Sequence, residues 1–87
     1  MGKVDCLDLP GLVCWFWSND HYPPHLHAKR EGDWEIKVHF LASEGEMFES
    51  VWGRAPKAKV LRQLAAAAIA NRAVLLAEWQ AKVNHDN

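Results

Sequence analysis

Apolar and polar residues change their spacing twice along the chain. From Leu12 to Trp17 the apolar residues run unbroken, as Leu12-Val13-Cys14-Trp15-Phe16-Trp17, which predicts a first strand. Pro10-Gly11 punctuates the chain before this run and Ser18-Asn19-Asp20 forms a turn cluster after it. Tyr22-Pro23-Pro24 then holds the chain extended, because proline fixes its own φ and disfavours the helical region for the residue before it. From His25 to Arg30 and from Trp34 to Phe40 the residues alternate with a period of two, and Glu31-Gly32-Asp33 between them suits a three-residue hairpin loop.

Polarity chooses the hairpin's register. A three-residue loop sets Arg30 opposite Trp34, Ala28 opposite Ile36 and Leu26 opposite Val38, which gives a largely apolar face. The other face then collects Lys29 with Glu35, His27 with Lys37, and His25 with His39. A two-residue loop would mix these groups onto apolar faces. The histidine face is expected to lie outside the core, with Lys29 and Glu35 as an exposed cross-strand pair.

After a loop at 42–46, residues Met47 to Trp52 predict a short fourth strand. Pro56 is placed in the first turn of a helix, where its missing N–H costs nothing. Leu61, Leu64, Ala65, Ala68, Leu75, Leu76 and Trp79 then recur at helical spacing. One helix from Pro56 to Val83 would be about 40 Å long at 1.5 Å per residue, too long for so small a domain, so a break near Ala70-Asn71 is expected. Asn71 is then the cap of a second helix. The fold class is α+β: a small antiparallel sheet of three or four strands packed on a C-terminal helix or helix pair. Residues 1–10 are assigned as a lead-in, 11–83 as a single domain and 84–87 as a tail.

Length and charge narrow the function classes. With 87 residues, 49% of them apolar, the chain supports one core and not two. Ten Lys and Arg against eleven Asp and Glu give a net charge of −1, so nucleic acid remains a possible partner without any support from a global field. The first eight residues carry two acids and no apolar run, unlike a secretory leader, and no stretch approaches a membrane span. A cytoplasmic location without membrane contact is expected, with Cys6 and Cys14 as reduced thiols. Oligomeric state is left open.

Four of the five histidines fall between His21 and His39, around Asn19-Asp20-His21-Tyr22-Pro23-Pro24-His25-Leu26-His27. Gly11 to His27, with Asn-Asp-His-x-Pro-Pro-His-x-His at its centre, resembles the signature of the bacterial domain of unknown function 4160 family, and the similarity continues through Pro56-Lys57 to Glu78-Trp79. The resemblance implies no established reaction. It implies a bacterial protein encoded beside another small protein in a toxin–antitoxin-like pair. The segment before Pro56, with Phe48, Val51 and Trp52, is longer and more aromatic than the family pattern.

Three chemistries suit the cluster, whose binding residues are taken as Asn19, Asp20, His21, His25 and His27. His25 and His27 on one strand face, with His39 across the hairpin, could ligate a divalent ion such as zinc, with Asp20 or His21 as further ligands; the Lys37 ammonium opposite His27 opposes this. His25, His27 and Asp20 could instead move protons in metal-free RNA cleavage, since histidine titrates near neutrality. The third possibility is docking of a small protein partner encoded by the adjacent gene, which suits the tryptophan content and low net charge. A purely architectural part is the alternative to all three: Asn19 and Asp20 cap the turn, and the prolines stiffen the approach to the hairpin.

Overall fold

The computed structural model describes residues 2–4, 7, 9–17 and 21–83, with backbone alone for 2 and 3. Asn19 and Asp20, named above as binding candidates, lie outside the described residues, as do Cys6 and the 84–87 tail. The chain forms a five-stranded antiparallel sheet in sequential order: β1 (Gly2–Lys3), β2 (Val13–Phe16), β3 (Leu26–Arg30), β4 (Trp34–Val38) and β5 (Phe48–Gly53). Two helices follow, α1 (Ala58–Ala70) and α2 (Arg72–Lys82). The α+β class is as the sequence pattern indicates, with one strand added. That strand comes from the segment assigned as a lead-in: Gly2 and Lys3 pair with Phe16 and Trp15, and Val4 is buried in the core.

The hairpin register is the one that polarity selects. Leu26, Ala28 and Arg30 oppose Val38, Ile36 and Trp34, while His27 and Lys29 oppose Lys37 and Glu35. Gly32 sits in the loop at φ +77, as a tight turn of three residues requires. Between β4 and β5 the register slips at Glu35/Ile36, so that Ser50 opposes Ile36 but Trp52 opposes Glu35, and Val51 is the extra residue of a bulge. The bulge has a directional consequence. Strict alternation would send Trp52 to the same face as Ser50; the inserted residue turns it to the face carrying Glu35.

The opposite face packs on the helices. Cys14, Phe16, Leu26, Ala28, Trp34, Ile36 and Val38 meet Leu64, Ala65, Ala68, Leu75 and Trp79, with Phe40 and Met47 closing one end. Trp79 is fully buried, and each such large apolar side chain contributes about 1.5–3 kcal/mol by leaving water.

Two details of the helices differ from expectation. The helix starts at Ala58 with Lys57 as its extended N-cap, so Pro56 lies outside the first turn. Asn71 does mark the break, where the helix axes bend by 81°. Its side chain, however, closes α1 rather than opening α2: Nδ2 donates to the Ala67 carbonyl at 2.8 Å and makes no cap bond to α2. The last carbonyls of a helix lack intrahelical donors, and the amide supplies one. Arg72 then ties α2 to the β4–β5 connection, donating to Phe40 O at 2.8 Å and to Ala42 O at 2.7 Å. No single helix among the described residues is long and apolar enough to cross a membrane.

Candidate functional site

The sheet face turned away from the helices is built of two rows that each cross four strands. Trp15, His27, Lys37 and Glu49 form one, and Val13, Lys29, Glu35 and Trp52 form the other. The period of two along β2, β3 and β4 puts these residues on the same face, and the β5 bulge adds Trp52 to it.

The histidines form a linked series of rings at one end of this face. His25 lies between the other two, with ring centroids 5.3 Å from His27 and 5.4 Å from His39. The Nδ1–H of His25 donates to the Pro23 carbonyl at 2.9 Å, so the Pro23-Pro24 turn fixes the ring that follows it. The Tyr22-Pro23 peptide bond is cis. His39 donates from Nε2 to Glu49 Oε1 at 3.0 Å, and this bond, reinforced by the Lys37 ammonium, holds the Glu49 carboxyl below its ordinary value. His27 stacks on Trp15 at 5.3 Å with the edge of Trp17 6.1 Å away.

This packing corrects one expectation. The histidine face is not left outside: His25 and His27 are each only 5% exposed, with Trp15 and Trp17 against His27, and the rings of His27 and His39 on either side of His25. A half-covered sheet face normally keeps polar side chains in water, but Trp15 and Trp17 supply an apolar surround on this side as well. The Lys29–Glu35 pair is also rearranged. Lys29 meets Glu31 at 3.3 Å and lies over the Trp15 ring at 5.4 Å, while Glu35 approaches His27 Nδ1 at 3.5 Å.

The site candidates divide accordingly. His25, His27 and His39 are brought together, whereas His21 is exposed and makes no ring contact with them among the described residues. Among the described residues no three His, Cys, Asp or Glu side chains are placed to hold a metal ion. The hydrogen bonds from His25 Nδ1 and His39 Nε2 orient the two rings. Of the three histidines brought together, His25 and His27 are buried and His39 is half-buried.

The sequence reading missed Trp15 as the partner of His27. The signal was present in Val13, Trp15 and Trp17, which alternate in β2 and at its end, but an unbroken apolar run hides which side chains face which way.

What the geometry defines is a small α+β domain with one face packed on helices and the other organised by stacked histidine and tryptophan rings. A family model described as Domain of unknown function (DUF4160) matches residues 11–80, and the chain belongs to that family. No curated protein and no solved structure matches the chain. The match begins after β1, so the first strand is an addition to the matched region.

Proposed function

We propose that this protein is a partner-binding domain, and that an extended segment of the partner pairs with the free edge of β5. The observation that carries the reading is β5 itself. It is the last strand of the sheet, six residues long, with every residue from Glu49 to Gly53 exposed. An edge strand presents unpaired N–H and C=O groups to a further strand, and proteins that do not use such an edge blunt it with proline, lysine, a bulge or a covering element; of these β5 has the bulge at Val51. Phe48-Glu49-Ser50-Val51-Trp52-Gly53 has neither proline nor lysine.

The side chains beside this edge are suited to a protein ligand. Val51 is 45% and Trp52 47% exposed, although Trp15, Trp34 and Trp79 are each 3% exposed or less. Interface anchors are enriched in tryptophan, and a tryptophan kept half in water has no part in the core. The bulge that turns Trp52 outward sets it beside Glu35, so the occupant meets a mixed apolar and charged rim. A component of a toxin–antitoxin-like pair, with the adjacent gene encoding the partner, fits this reading and rests on the family resemblance.

Native mass spectrometry of the protein co-expressed with the product of its adjacent gene tests the proposal. A stoichiometric complex that is lost in a Val51→Lys, Trp52→Ala double variant is expected. Free protein alone, or a complex unchanged by the variant, would contradict it.

A further inference from the structure

A second feature lies at the loop end of the hairpin, where β3 ends, β4 begins, β5 ends and α1 starts. A cleft of about 440 Å³ opens there, lined in part by Arg30, Asp33, Trp34, Arg54 and Lys57. We propose that it binds a phosphorylated small molecule of mononucleotide size, through the phosphate.

The charge arrangement carries the inference. Three cations face one carboxylate in a chain whose net charge is −1. Asp33 satisfies only one of them: Arg54 Nε donates to its Oδ1 at 2.9 Å. Among the described residues Arg30 and Lys57, which line the cleft, make no ion pair or side-chain hydrogen bond. An arginine fork and a lysine ammonium are the groups that hold a phosphate, the first by paired donors and the second as a point charge.

The position of Arg30 is constrained as well. Its Nη1 would lie 3.2 Å from a Cβ added at Gly11, a residue at φ +80, so the Pro10-Gly11 turn passes close against the guanidinium. Adjoining Lys57, the first turn of α1 contains no acidic residue to occupy its amides.

The volume argues for a small molecule. Clefts of roughly 300–1,000 Å³ take ligands of this class.

Isothermal titration with inorganic phosphate, AMP and a single-stranded RNA oligonucleotide tests this. AMP is expected to bind, more weakly as salt rises, with at least a tenfold loss in Lys57→Gln and a larger one in Arg30→Gln, Lys57→Gln. The Lys57 side chain is exposed, and the backbone bond from Leu61 N–H to its carbonyl is kept in Lys57→Gln, so the single variant remains informative if the double variant fails to fold. Arg62→Gln, on the exposed face of α1, should leave binding unchanged. Absence of AMP binding at millimolar concentration, or affinity indifferent to these variants, would overturn the proposal. RNA binding that depends on Arg30 and Lys57 without AMP binding would overturn the small-molecule assignment.

Discussion

His27 lies flat against Trp15 across the β2–β3 ladder, with ring centroids 5.3 Å apart and planes 21° from parallel. The two rings face away from the helices, yet Trp15 is 3% and His27 5% exposed. The pair therefore acts as a second, smaller packed layer. His27→Ala should cost about 1–3 kcal/mol in urea unfolding, from the stacked pair and the gap left beside Trp15. His27→Phe should keep much of the stability. A loss below a few tenths of a kcal/mol in His27→Ala would show that the layer contributes little.

Two glycines separate conformational from steric demands. Gly53 has φ +88, and an added Cβ there would lie 2.2 Å from Asp33 O and 2.7 Å from Trp34 Cα, both backbone atoms. Gly32 has φ +77 with nothing within 4 Å. Gly32→Ala should cost about 1–2 kcal/mol from the left-handed backbone alone. Gly53→Ala must also move β4 away from the end of β5, and should lower the melting temperature by much more. Equal effects of the two substitutions would mean that the close β4–β5 approach is not maintained in solution.

Cys14 is a free, buried thiol whose pKa burial pushes up to about 11. The thiolate is the reactive form, so at pH 8 Cys14 should resist a disulfide reagent in the folded protein and react once urea unfolds it. Rapid stoichiometric modification of Cys14 in the native state, located by mass spectrometry, would contradict its placement in the core.

The His39–Glu49 bond has a pH signature. Because the folded Glu49 carboxyl titrates below its ordinary 4.5, its favourable contribution is fully present above that value and fades as pH falls through the lower, folded one. NMR titration should find Glu49 below the ordinary carboxylate range and moving back towards it in His39→Ala. Part of the depression should survive in that variant, since Lys37 remains opposite Glu49. A Glu49 titration indifferent to His39 would remove the bond from the solution structure.

The hairpin was the most legible part of the chain, because its two faces differ so sharply in polarity that only one register keeps Leu26, Ala28 and Ile36 together. Length argued against one unbroken helix, and Asn71 marked the place of a break, while one helix or two stayed open. Which way Asn71 acts was not legible, since a short polar side chain at a junction can serve either helix. β1 escaped notice because two residues carry no period. The histidine set was visible in sequence, but not its burial, which depends on Trp15 and Trp17 arriving from a strand whose facing an unbroken apolar run conceals. The β5 bulge was equally hidden, and with it the outward turn of Trp52: a one-residue slip is written in the partner strand as much as in β5.

Amide hydrogen exchange of the protein, free and in complex with the product of its adjacent gene, tests most directly the claim that β5 is a docking edge. Residues Phe48–Gly53 should exchange readily in the free protein and become strongly protected in the complex, more than β2 or either helix. A complex that forms while the β5 amides exchange as before would place the partner elsewhere and contradict the reading.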